Sequence, residues 1–205
     1  MYEKVLKKQR RKRRIDSLHR KMEKYIVKFN FLIKIGLIIN KKSTLGEFEK
    51  FGSDKNYNFI SIGCGSFPWS LLILAKKNNW KFTGIDHDKE AVYSSQKIVK
   101  KFNLSDYVKI YYDDALNHDF SNYDIILFSF GVEPRKEIFN NIIKSMKKNG
   151  FIIFRTTWKS MNKIYREEII PEELIIKKIY YRFDGIKSIT LKLKNNDNSK
   201  DEVNC

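Results

Sequence analysis

Between Asn58 and Asp86 a short apolar run (Phe59, Ile60, Ile62) stops at Gly63-Cys64-Gly65, an apolar helix-like segment follows, and a second apolar run closes on Asp86. Few folds accommodate that order. Strand, glycine turn, helix and a strand with a terminal acid form a βαβ unit of the kind that holds the adenosine half of a nucleotide-like ligand. The glycines let the backbone turn sharply and approach a ligand where a Cβ would clash. Asp86 lies 23 residues after Gly63, near the offset of about 20 residues expected for a carboxylate accepting from ribose hydroxyls. Pro68, three residues after Gly65, supplies no N–H. A pyrophosphate, which wants helix-terminal amides, is therefore disfavoured.

The pattern continues as strand and helix in turn. Strands are expected at about 58–63, 81–86, 107–112, 123–129 and 150–155, and helices at about 68–79, 88–103 and 135–148. Such alternation implies a parallel sheet with helices on both faces. Asp88 suits an N-cap, and Lys147-Lys148-Asn149-Gly150 reads as a helix stop. A short segment near 159–168 follows. Two further strand-like runs, 173–181 and 187–194, are joined by Asp184-Gly185, which favours a hairpin. Residues 195–205 read as a disordered tail.

Upstream, residues 2–40 favour helix, with Ile15, Leu18, Met22, Tyr25, Ile26, Phe29, Leu32 and Ile33 on one stripe. The mostly polar stretch Asn40–Tyr57 reads as a link with one short helix near Leu45–Phe51. The domains expected are a basic helical extension over 1–57, a ligand-binding domain over 58–194, and the tail.

Charge is unevenly spread. The chain carries a net +17, and residues 1–24 hold 11 Lys/Arg against 3 Asp/Glu, a net +8. The run Lys7-Lys8-Gln9-Arg10-Arg11-Lys12-Arg13-Arg14 is either a solvated helix start or a contact for a polyanion, with RNA binding through residues 4–24 as the specific alternative. Two cysteines without a pairing pattern point to a reducing compartment. The apolar stretch Tyr25–Ile39 is too short and too charged to span a bilayer. No secretory signal follows the basic start, so the chain reads as cytoplasmic. Whether residues 1–40 pack on the core or on a second copy, as in a homodimer, stays open. No Cys/His cluster has metal-ligand spacing, so no metal is expected.

Gly63-Cys64-Gly65 with Ile85-Asp86-His87-Asp88 downstream resembles the class I S-adenosylmethionine (SAM)-dependent methyltransferases, over about Asn58 to Thr157. The resemblance implies SAM as cofactor and a Rossmann-like, doubly wound, mostly parallel α/β sheet with a C-terminal antiparallel hairpin, here with an N-terminal helical extension. Within that superfamily the turn running through Pro68 and Ser70 into an apolar helix is similar to nicotianamine synthases, with Ser66 in place of the first proline. Glu133-Pro134-Arg135, Ile138-Phe139-Asn140-Asn141-Ile142 and Phe154-Arg155-Thr156 are similar to segments of that branch. Those enzymes transfer the aminocarboxypropyl group of SAM. Only 57 residues precede the first strand, where that branch has a longer helical domain, and its catalytic glutamate has no match upstream of the turn.

The candidate site residues sit where strands end. Gly63, Cys64 and Gly65 form the cofactor turn, Asp86 the ribose ligand with His87 beside it, and Ser129 follows the strand before Gly131. Ser61 stands where the family usually carries an acid. The resemblance gives Asp114 an adenine-amine contact and Ala115 a place beside the ring, although Asp113-Asp114 also suits a turn or cap. Glu133 is expected either to orient an amine and accept its proton or to cap the helix after Pro134. Arg155 is expected to bind a substrate carboxylate or to make an ordinary ion pair. His87 and His118 are alternative bases, His19 reads as solvated, and Trp158 and Tyr165 line either pocket or core.

The leading expectation is a SAM-dependent methyltransferase for a small molecule. Its rivals are aminocarboxypropyl transfer, an RNA methyltransferase using the basic N-terminus, and a non-catalytic SAM-binding partner protein. The absence of N/D-P-P-Y/F after the fourth strand counts against methylation of a base amine.

Overall fold

The structure, a computed structural model, describes residues 30–157 and 170–194. Strands β1 (Asn58–Ile62), β2 (Lys81–Asp86), β3 (Val108–Tyr112), β4 (Ile125–Phe128), β5 (Phe151–Thr157), β6 (Leu174–Tyr181) and β7 (Ile186–Leu193) are interleaved with helices α1 (Asn30–Phe48), α2 (Trp69–Ala75), α3 (Lys89–Lys101) and α4 (Arg135–Ser145). Among the described residues a seven-stranded sheet runs β3-β2-β1-β4-β5-β7-β6. The pairs from β3 through β5 are parallel, whereas β7 lies antiparallel to both β5 and β6. This is the mostly parallel Rossmann-like sheet with an antiparallel C-terminal pair. The strand order reverses between β1 and β4, the position where open α/β sheets form a crevice.

The inner parallel strands β1 and β4 are apolar toward both faces, as a buried parallel sheet requires. In β1, Phe59 packs with α1, α2 and α3 through Phe48, Leu71 and Ile98, whereas Ile60 and Ile62 pack with Ile138, Phe139 and Ile142 of α4. All four residues of β4 are buried. The expected strand ends at 123 and 129 fall outside β4. Tyr123 and Asp124 enter from a turn, and Ser129 leaves toward Gly131, whose φ is +90°.

The N-terminal region departs from expectation. A helix ending near 40 and a separate one near 45–51 were expected; instead α1 runs unbroken to Phe48 and closes in a 3-10 turn over Glu49–Phe51. Ser43, Thr44 and Glu47 are buried polar residues on that helix, so its inner face changes from apolar to polar without breaking. Ile33, Phe48 and Phe51 share one apolar cluster with Phe59 and Leu71, so α1 is part of the core that carries the sheet. Gly36 allows it to approach α2, because a Cβ there would collide with the Trp69 ring. The expected helix over residues 2–29, the segment near 159–168 with Trp158 and Tyr165, the tail 195–205, His19 and the basic run at 4–24 lie outside the described residues. No helix among the described residues is long and apolar enough to cross a membrane.

α2 stops at Ala75, earlier than the expected 79, where the apolar run gives way to Lys76-Lys77-Asn78-Asn79. Asp88 caps α3, accepting from the amides of Glu90 at 2.9 Å and Ala91 at 3.4 Å. At the hairpin Gly185 adopts φ +79°, and the Arg182 amide donates to the Ile186 carbonyl at 2.9 Å.

Candidate functional site

The glycine turn is stitched to the end of the neighbouring strand. The Ile85 carbonyl accepts from both the Gly63 amide (2.9 Å) and the Cys64 amide (3.1 Å). Gly63 and Gly65 both take left-handed φ values, +69° and +70°, which an L side chain resists. Space is a second constraint at Gly63, since an added Cβ would strike Cγ2 of Val132 in the β4–α4 loop. The loop after β4 thus rests directly on the turn after β1, closing one wall of the crevice.

Asp86 holds the other wall. One carboxylate oxygen accepts from the Gly65 amide at 2.8 Å and the other from the Asp88 amide at 3.0 Å. An aspartate oxygen can accept more than one bond, so each oxygen keeps capacity for a further donor. Asp86 as a residue is 9% exposed, so its carboxylate is largely desolvated. Two backbone donors satisfy the carboxylate where an unpartnered one would be costly to bury. His87 is different, with its ring 83% exposed and Nδ1 3.8 Å from Asp86. It lies over the rim of the site.

The turn after β3 abuts the same strand end, the Asp113 amide donating to the Asp86 carbonyl at 3.1 Å. Asp113 caps locally: it accepts from the Asp114 amide at 2.7 Å and lies 2.7 Å from Nδ1 of His118. The His118 ring packs against Phe120 and Tyr123, so it pins this turn. Asp114 is exposed and accepts from the Leu116 amide at 3.0 Å, the turn geometry that competes with a ligand contact. Ala115 is buried. Its carbonyl and that of His118 both accept from Nδ2 of Asn141 on α4, at 2.9 and 2.8 Å. Asn141 was legible only as part of a segment resemblance, because an amide serving two carbonyls of a distant turn carries no local signature.

Toward the acceptor side, the Ser129 amide donates to the Ile62 carbonyl at 3.2 Å, and its hydroxyl lies 3.4 Å from that of Ser61. Glu133 accepts from the Arg135 amide at 3.3 Å, with the Arg135 guanidinium 3.6 Å away, which is the capping geometry. Cys64 turns inward, against the position a Gly84 side chain would occupy and beside Leu71, so only its backbone faces the turn.

Arg155 points at the α1 face, where Glu47 takes both its Nε (2.9 Å) and Nη2 (2.5 Å). Arg182 also donates to Glu47 at 3.0 Å and to Asp184 at 3.0 Å. Burial pushes the Glu47 carboxyl up, but the two guanidiniums outweigh it and hold it below the ordinary glutamate value. This is the ordinary ion pair of the two roles expected for Arg155, and neither Glu47 nor Arg182 was singled out in the sequence. A polar residue on a helix read as linker, paired 108 and 135 residues away, leaves no local trace.

The residues present fit an adenosyl ligand without phosphate. The crevice offers a backbone turn with no Cβ at Gly63 or Gly65 and a half-satisfied carboxylate at Asp86, while the first amide past Pro68 donates to the Phe67 carbonyl at 2.9 Å.

Comparison with known proteins agrees with this geometry. A family model described as a methyltransferase domain matches residues 53–196. The ribosomal protein L11 methyltransferase of Thermosipho melanesiensis is 34% identical over 95 residues, 46% of this chain and 35% of that one. The chain therefore spans about a third of the length of that curated relative. Among solved structures, a point mutant of MtNAS, a nicotianamine synthase, in complex with S-adenosylmethionine superposes with a TM-score of 0.70 at 13% identity, covering 84% of this chain and 70% of that one. A putative S-adenosyl-L-methionine-dependent methyltransferase from Methanococcus maripaludis gives 0.64 at 16% identity, covering 88% and 95%. At such identities the likeness is one of fold.

Proposed function

Because this chain belongs to the methyltransferase domain family, we propose that it is a SAM-dependent methyltransferase acting on a small molecule. One juxtaposition carries the reading: the Asp86 carboxylate, at the end of β2, bonded to the Gly65 amide of the bare glycine turn after β1. Asp86 would accept from the ribose hydroxyls, with His87 at the rim, while the backbone of Gly63, Cys64 and Gly65 passes close to the amino-acid end. Asp114 and Ala115 would frame the adenine. When bound, SAM supplies a methyl group on a positively charged sulfur, an activated leaving group.

The chain's own residues then have to align the acceptor and exclude water. Ser61 and Ser129 offer hydroxyls at the sheet's carboxyl edge, beside Gly63. Glu133, in the loop that closes over the turn, is the proposed acceptor of the proton that the substrate heteroatom releases as its new bond to carbon forms. Arg155, engaged by Glu47, is proposed to position β5 against α1 rather than to touch substrate.

Incubation with SAM labelled in its methyl group, a panel of small amines, acids and thiols, and, in parallel, total RNA tests the proposal. Label in an acceptor supports methyl transfer. Label retained in methylthioadenosine assigns aminocarboxypropyl transfer instead, and label in RNA alone overturns the small-molecule acceptor.

A further inference from the structure

At the opposite end of β5 from its carboxyl edge, two ammonium groups converge on one ring, with a third lysine on the adjoining strand. Lys50, in the turn after α1, stands 4.5 Å from the Phe151 centroid and 4.8 Å from that of Phe51. Lys192 of β7 stands 4.7 Å from the same Phe151 ring. Lys178 of β6 opposes Thr190, two residues from Lys192 on one face of the hairpin. Among the described residues no carboxylate lies within 4.0 Å of any of the three.

We propose that Lys50, Lys178 and Lys192 form a binding site for a phosphate-type oxyanion, remote from the glycine turn. Aromatic faces attract each cation singly, but they cannot neutralise like charges held together. Sequence does not force this arrangement: the turn at Glu49–Phe51 and β7 bring Lys50 and Lys192 to Phe151, and the β6–β7 register sets Lys178 across from Thr190 on the same face as Lys192. A compact multivalent anion presents an oxygen to each ammonium and relieves their repulsion, and lysine serves phosphate as a point charge. A carboxylate offers two oxygens and a single charge, too little for the set. Burial along the rings, followed by the charges of Lys178 and Lys192, already brings Lys50 down to about 8. A bound anion would raise it again.

The proposal does not rest on transfer chemistry. Calorimetric titration of the full chain with pyrophosphate at fixed ionic strength, near the pH of about 8 where Lys50 titrates, tests it directly. We expect saturable binding with uptake of a fraction of a proton, read from two buffers of different ionisation heat. Lys178→Ala and Lys192→Ala should each weaken it about tenfold, the loss of one charge-assisted bond. Competition by a short oligoribonucleotide assigns the anion to a nucleic-acid backbone; pyrophosphate binding without competition assigns it to a free phosphate compound. Absence of saturable heat, or affinity unchanged in both variants, overturns the site.

Discussion

Gly63 and Gly185 share a left-handed backbone, with φ of +69° and +79°, but differ in what surrounds them. An added Cβ at Gly185 meets nothing within 4 Å, whereas at Gly63 it meets Val132. Replacement by alanine should therefore cost only conformational strain at Gly185, about 1–2 kcal/mol. At Gly63 the same strain is joined by a collision that shifts the β4–α4 loop. Urea unfolding of the two variants checks this: Gly63→Ala is expected to be the less stable and to lose cofactor affinity, and equal midpoints would contradict it. Asp114 offers a contrast of another kind. It is exposed and serves its own turn, so Asp114→Ala should leave stability within about 1 kcal/mol, the worth of one ordinary hydrogen bond. Its effect should appear in cofactor binding; a variant that binds SAM as tightly as wild type would remove Asp114 from the adenine site.

At the scale of elements, Glu47 ties α1 to β5 and to the β6–β7 hairpin. Truncation by Glu47→Ala would leave two buried guanidiniums without their shared partner, costing about 3–5 kcal/mol as for other broken buried pairs. Acid should act on the same contact. Its carboxyl is held below the ordinary glutamate value, so the unfolded chain takes up its proton first as pH falls. The contribution is complete above about 4.3, the unfolded value, and is lost as pH drops through the lower folded one. Glu47→Gln should remove that portion of the acid limb in a series of urea midpoints, and an unchanged limb would contradict the clamp. Lys50 has the reverse sign: its folded value of about 8 lies below the ordinary lysine value, so stability should rise with pH across that window.

For the molecule as a whole, the parallel core was legible because its physics is local. Continuous apolar runs must be buried on two faces, glycines must turn, and an acid must end β2; each leaves its mark within a few residues. The polar half of α1 was not legible. Asn40–Tyr57 reads as a link because the burial of Glu47 depends on Arg155 of β5 and on Arg182 just past β6. The same holds for Asn141, which serves a turn 23 and 26 residues back. Cys64 shows a finer limit: its position in the turn is evident, but the inward direction of its side chain follows from packing against Leu71 and Gly84. The central claim is that Asp86 and the bare turn beside it grip one adenosyl ligand. Calorimetric titration of S-adenosylmethionine into the wild type and Asp86→Ala is its most direct test. Saturable one-site binding is expected for the wild type, weakened about tenfold to a hundredfold in the variant as charge-assisted bonds are lost; no heat with the wild type, or equal affinity in the two proteins, would show that Asp86 and the turn do not hold this ligand.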